Sequence, residues 1–231
     1  DVGSSQRAAT AGLAAALEGA AGADGPTLFL ASEKRRTQAG RTLLMRQRFS
    51  PQDLDEVILG CAAPSVDEVN IGRVVALRMG CGQKVPGWTV MRNCASGMEA
   101  VADACRRIAT GEARLVLAGG MESMSHAPYL VPGARTGFRM GHAKLVDSMI
   151  HDGLGDAYND FHMGITAEKV AEKYDVSRAA QDEFAAESHR RAAEATEAGR
   201  CDAEKVTVEV PQRRADPVAF TTDGTSRAGT T

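Results

Sequence analysis

The residues of this chain best suited to chemistry are Asn93-Cys94-Ala95-Ser96-Gly97-Met98. Cys94 stands just before a small, glycine-containing turn, and that turn opens an amphipathic run over 98–108. A thiol at a helix start meets backbone N–H groups with no intrahelical partner and the positive end of the helix dipole. Both favour the thiolate. A thiolate held there is a nucleophile that can take an acyl group as a thioester. The competing interpretation is a small cysteine packed near a helix start, since buried cysteine usually acts as a plain hydrophobe.

The other cysteines are Cys61, Cys81, Cys105 and Cys201. They form no Cys-x-x-Cys pair and no Cys/His zinc spacing, so no metal is expected. Packing or surface positions are expected for all four, and an odd, scattered set of five suits a reducing compartment. Gly119-Gly120 belongs to neither a GxGxxG nor a Walker pattern, so close backbone packing behind the cysteine turn is expected there rather than a nucleotide cradle. The 231 residues suffice for one large domain or two small ones, and 43% hydrophobic with 25% charged residues is the balance of a soluble globular protein. A net charge of −3 argues against a nucleic-acid or anionic-membrane binder. No apolar run approaches the ~20 residues of a membrane span. The alanine-rich stretch 8–21 lacks the strongly apolar centre of a signal peptide.

Three blocks, taken in order, are similar to the thiolase family, the acyltransferases that make or cleave 3-oxoacyl-CoA. The first is Val85-Pro86-Gly87-Trp88-Thr89-Val90-Met91-Arg92 running into the Cys94 turn and on through Met98-Glu99-Ala100-Val101. The second is Leu115-Val116-Leu117-Ala118-Gly119-Gly120-Met121-Glu122-Ser123-Met124-Ser125. The third is Tyr158-Asn159-Asp160-Phe161-His162-Met163-Gly164-Ile165-Thr166-Ala167-Glu168. The resemblance covers the chain from about Leu54 onward. It implies an α/β protein with the layered αβαβα thiolase fold, of which the first half and the inserted loop domain are represented. The segments expected are a poorly specified N-terminus over 1–25, an N-terminal α/β domain carrying the nucleophile over 26–122, and the loop domain over 123–231.

The resemblance implies acetyl-CoA C-acyltransferase activity with Cys94 as the acyl carrier. His162 and Met163 fall on the family's substrate channel, and Leu154 falls on a position that touches the CoA arm. From the residues alone, His162 could equally be a hydrogen-bonded structural histidine and Leu154 plain core. Lys34-Arg35-Arg36 could attract CoA phosphates, but a solvated surface is expected. No cofactor is implied, coenzyme A thioesters being the substrates. Implied partners are acyl-CoA and CoA, in a homodimer or tetramer or in a hetero-oligomer with a β-oxidation subunit, in the cytoplasm, with no nucleic acid and no membrane span. The family's second set of catalytic groups comes from an Asn-Glu-Ala-Phe stretch, a Gly-His-Pro stretch and a Cys-x-Gly-x-Gly turn. None of these occurs in the 231 residues, so the chain is expected not to turn over alone. A non-catalytic thiolase-like module binding CoA or lipid is the alternative. A β-ketoacyl synthase relative would share the cysteine but not the 123–168 blocks.

The elements that must position these residues alternate. Helices are expected over 37–48, 71–78 and 98–108, and strands over 54–59, 88–91 and 114–118. This is an α/β pattern, with Cys94 at a strand-to-helix turn where such sheets bind ligands. The stretch 125–158 is rich in glycine, methionine and histidine and weakly periodic, as functional loops are. Helices over 166–174 and 177–198 follow, the latter with Ser177 as N-cap, then a strand over 206–210. The polar end, 221–231, reads as turns. No strand is expected before Pro26-Thr27-Leu28-Phe29-Leu30.

Overall fold

A computed structural model describes residues 14–18, 27–29, 36–64, 66, 68–210, 216–221 and 229. The chain divides into two compact units. The first contains Asp1–Ser125 and Cys201–Gly224, and the second contains His126–Arg200 and Thr225–Thr231. The return of Cys201–Gly224 to the first unit departs from the continuous loop segment read over 123–231.

In the first unit β1 (Ala14–Glu18) and β2 (Thr27–Phe29) form an antiparallel pair. β1 is a strand before Pro26, where none was expected; the rest of 1–25, read as a poorly specified start, lies outside the described residues. Helix α1 (Arg36–Met45) follows. The α/β alternation then runs β3 (Glu56–Gly60), α2 (Ile71–Met79), β4 (Gly87–Val90), α3 (Ser96–Ala109) and β5 (Leu115–Gly120). The five strands form one sheet in the order β2-β1-β5-β3-β4. β3 is parallel to both β4 and β5, and β1 is antiparallel to β5.

The sheet is covered on both faces, and alternate residues of its central strands record this. Val57, Leu59, Leu115 and Leu117 pack with Leu43 and Leu44 of α1 and Ile71, Val75, Ala76 and Met79 of α2. Ile58, Val116 and Ala118 pack with Ala100 and Ala104 of α3. The topology requires this split. The β3-α2-β4 crossover runs one way across the sheet and β4-α3-β5 runs back, so two right-handed crossovers must use opposite faces. A strand covered on both sides reads as a continuous apolar run, which is why Leu115-Val116-Leu117 is so legible.

The second unit begins with the irregular stretch. Short strands β6 (Tyr129–Leu130) and β7 (Val146–Asp147) pair antiparallel within it, and a π-helical turn, Met149–Leu154, follows. Helices α4 (Met163–Lys173) and α5 (Arg178–Glu197) complete it, and neither buries any described residue. Ser177 caps α5, its hydroxyl accepting from the Ala180 N–H at 3.2 Å. An exposed charge ladder runs along α5. Arg190 and then Arg191, both hydrogen-bonded to Glu187, hold its carboxyl down to about 2.

The chain then returns to the first unit, where β8 (Val208–Val210) pairs with β9 (Val218–Phe220), a strand not expected from sequence. Arg46 secures the return by donating to the Ala203 carbonyl at 3.0 Å. Most of 221–231 lies outside the described residues, as do Lys34 and Arg35.

Candidate functional site

The turn between β4 and α3 is built residue by residue. β4 ends at Val90, and Asn93 takes a left-handed conformation with φ 48°. Asparagine tolerates that region better than most residues, and the reversal leaves Cys94 exposed. Ala95 is the N-cap of α3 and supplies no side-chain bond. The Ala95 N–H donates to the Arg92 carbonyl at 3.0 Å, and the Ser96 N–H donates to the Asn93 carbonyl at 3.1 Å. The buried Ser96 hydroxyl closes the turn. It accepts from the Arg92 N–H at 2.8 Å and donates to the Asn93 carbonyl at 2.7 Å. With no capping side chain, the first N–H groups of α3 receive no side-chain acceptor from the N-cap. Met91 and Met98, 64% and 75% exposed, flank Cys94 in sequence with soft apolar side chains.

The turn rests directly on backbone. A Cβ at Gly60, where β3 ends, would overlap the Ser96 carbonyl and lie 2.5 Å from the Gly97 nitrogen. A Cβ at Gly120, where β5 ends, would lie 2.8 Å from the Gly97 Cα. Gly120 therefore does what the sequence suggested, letting backbone pack behind the cysteine turn. Below this floor Glu56, Trp88 and Arg107 form a polar cluster. The Trp88 indole N–H donates to the Glu56 carboxylate at 2.7 Å, Arg107 pairs with Glu56 at 3.1 Å, and the Arg107 guanidinium lies 5.4 Å from the Trp88 ring centre. On the exposed side of α3, Arg106 and then Arg92 hold the Glu99 carboxyl below the usual carboxylate range.

The remaining sequence-predicted residues lie in the second unit. Leu154 is half-buried at the end of the π-helical turn. A bridge between Gly155 and His162 closes the loop that follows, which brings Leu154, His162 and Met163 to one neck of chain. Inside the loop, the Asn159 and Tyr158 N–H groups bond the Asp156 carboxylate and hold it below its usual range. His162 is exposed and is the N-cap of α4, its Nδ1 accepting from the Gly164 N–H at 3.0 Å. An accepting Nδ1 leaves the ring proton on Nε2. Met163 is 50% exposed at the first position of α4. Cys94 belongs to the first unit and these three residues to the second.

Among the other cysteines, Cys61 and Cys81 are buried, whereas Cys105 and Cys201 are exposed. Burial pushes the Cys81 thiol up. Among the described residues no group of histidine, cysteine and carboxylate side chains could hold a metal ion, and no helix is long and apolar enough to cross a membrane. Sequence reasoning passed over Ser96 and Glu122. Both lie inside the quoted motif blocks, but neither block says what a hydroxyl or carboxylate there will reach.

An exposed cysteine at a strand-to-helix turn of a doubly covered α/β sheet defines the class of protein, and comparison with known proteins gives the family. The model described as "Thiolase, N-terminal domain" matches residues 30–231. An acetyl-CoA acetyltransferase of Pseudomonas aeruginosa is 49% identical over 191 residues, which is 83% of this chain and 49% of that protein. A probable acetyl-CoA acyltransferase of Staphylococcus epidermidis is 45% identical over 83% of this chain and 48% of its own length. The crystal structure of the Bacillus anthracis acetyl-CoA acetyltransferase superposes with a TM-score of 0.78 at 32% identity, covering 96% of this chain and 57% of that one. The chain belongs to the thiolase family and has the α/β fold of its N-terminal domain. It spans about half the length of the curated relatives it matches.

Proposed function

We propose that this chain carries the nucleophile half of a thiolase-type acyl transfer between acyl-CoA and acetyl-CoA or free CoA. The observation that carries the reading is the exposed Cys94 thiol at the uncapped start of α3. The Cys94 thiolate attacks the thioester carbonyl, the carbonyl oxygen takes up negative charge, and the C–S bond to CoA breaks. The acyl group is then a thioester of Cys94, and CoA leaves as its thiolate and takes a proton. In the second step a CoA thiolate, or the carbanion formed by removing an α-proton from acetyl-CoA, attacks the acyl carbonyl and releases Cys94. That step needs an acid–base group worth about 10²–10⁴-fold in rate. The family supplies it from an Asn-Glu-Ala-Phe stretch, a Gly-His-Pro stretch and a Cys-x-Gly-x-Gly turn.

Leu154, His162 and Met163 serve as acyl-CoA contacts. His162, with Nδ1 engaged in capping α4, offers Nε2–H as a donor to substrate rather than as a base. No cofactor takes part. The partners are acyl-CoA and CoA, with a second copy of the chain or a β-oxidation subunit completing the assembly in the cytoplasm, and neither nucleic acid nor membrane is engaged. The names of the relatives favour acetyl-CoA as one substrate. Incubation with acetyl-CoA followed by intact-protein mass spectrometry should add one acetyl group, mapped to Cys94 and absent in Cys94→Ser. CoA binding with no acyl adduct under any condition would instead make the chain a binding module.

A further inference from the structure

The loop 61–63, which leaves β3 beside the cysteine turn, is held by one carboxylate. Glu122 lies just past the end of β5 and is half-buried. Its Oε2 accepts from the Ala62 N–H at 2.7 Å, and its Oε1 accepts from the Ala63 N–H at 2.8 Å and from the Cys61 thiol at 3.3 Å. No cation pairs with it among the described residues, so backbone and thiol donors carry its satisfaction. The contacts continue toward Cys94 along two routes. Cys61 N–H donates to the Val90 carbonyl at 3.1 Å, at the last residue of β4 before the Cys94 turn. Met121, next to Glu122, donates its N–H to the Gly60 carbonyl at 2.9 Å, and Gly60 is the floor under Ser96 and Gly97.

We infer that Glu122 is a positioning residue for the nucleophile. By clamping the exits of β3 and β5 together, it fixes the floor and the incoming strand between which the Cys94 turn is held. The inference rests on the reading of Cys94 as the nucleophile. Asp55 supplies a matched comparison at the opposite end of the same strands. It precedes β3, and its carboxylate accepts from the Arg114 and Leu115 N–H groups at 2.7 and 3.0 Å. Both carboxylates tie β3 to β5, but only Glu122 does so at the Cys94 end.

The test measures the rate of iodoacetamide alkylation at Cys94, located by peptide mass spectrometry, in the 231-residue chain and in Glu122→Gln, Glu122→Asp and Asp55→Asn. Circular dichroism and urea unfolding are recorded for each. Glu122→Gln keeps the shape but turns an NH₂ group toward a backbone donor, and Glu122→Asp keeps the charge but is one methylene short. A turn that drifts from the helix start loses part of the dipole's help, so Cys94 should react about two- to fivefold more slowly in both Glu122 variants. Asp55→Asn should lower the urea midpoint and leave that rate unchanged. Wild-type alkylation rates in folded Glu122 variants would overturn the inference, and so would an equal slowing in Asp55→Asn. If Cys94 in the unaltered chain reacts no faster than the exposed Cys105 and Cys201, the reading of Cys94 fails first and takes this inference with it.

Discussion

Replacing Gly60 by alanine adds one methyl group at the place where α3 begins. The new Cβ would overlap the Ser96 carbonyl and lie 2.5 Å from the Gly97 nitrogen, whereas ordinary contact begins at 3.4 Å. The helix start must therefore retreat by about 1 Å, because close-packed interiors offer no slack to absorb the methyl. No rotamer change relieves the clash, since every atom met is backbone, and that backbone is tied down by Ser96 and Asn93. Overpacking of this kind costs about 1–3 kcal/mol. The displacement also moves Cys94, and if Cys94 is the nucleophile proposed above, a misplacement of about 1 Å costs about 100-fold in rate in a complete enzyme.

Gly80→Ala is the comparison. Gly80 caps α2 at φ 91° with nothing within 4 Å of an added Cβ, so alanine there costs about 1–2 kcal/mol for a left-handed conformation, with no clash. Urea unfolding, followed by the fluorescence of the single tryptophan, Trp88, gives both stability losses. Iodoacetamide kinetics at Cys94 separate them, since only Gly60→Ala should alter the rate. A Gly60→Ala protein within about 0.5 kcal/mol of wild type, with unchanged Cys94 labelling, would refute the reasoning.

Iodoacetamide at neutral pH should modify Cys94 ahead of Cys105 and Cys201 and spare the buried Cys61 and Cys81; preferential labelling of Cys201 would contradict the assignment. The Arg114 and Leu115 N–H bonds hold the Asp55 carboxyl below its usual range, so its stabilising contribution is present at neutral pH and is lost as pH falls through the lowered value. The urea midpoint of wild type should thus drop toward that of Asp55→Asn as pH falls below about 4, and parallel profiles would remove Asp55 from the account. Trp88→Phe takes one of the two donors from the buried Glu56 carboxylate and should cost about 1 kcal/mol, with Arg107 still paired; circular dichroism in urea gives the value. His162→Ala removes the α4 cap, about 1 kcal/mol, and should raise amide exchange about fivefold in the first turn of α4, while His162→Asn should restore it.

What the sequence makes legible follows from how locally each feature is specified. Helix α3 and strand β5 announce themselves because an amphipathic run and a continuous apolar run need no distant partner to be recognised. The place of Cys94 at a strand-to-helix turn follows from those two signals. Strand β1 is invisible because Ala-Ala-Ala-Leu-Glu has little β-propensity, and pairing with β5 imposes its conformation. The return of 201–224 to the first unit depends on contacts such as Arg46 with Ala203, 157 residues apart. The reach of Glu122 to Cys61, 61 residues back, is hidden for the same reason. Nor can the sequence distinguish His162 the substrate contact from His162 the helix cap. The ring nitrogen that accepts from Gly164 exists only once α4 has formed.

The strand order carries a consequence for how the chain folds. The parallel strands β3, β4 and β5 and the helices between them lie in one unbroken stretch, 56–120, so each of their pairings closes a modest loop. β1 joins the sheet only by pairing with β5 roughly a hundred residues later, and long-range pairings carry the largest closure entropy and form late. On a ribosome β1, made about a hundred residues before β5, would therefore be seated after the pairings within 56–120, beside an edge of β5 that stays open until it docks. During that interval the cysteine turn, built wholly within 56–120, would already be in place.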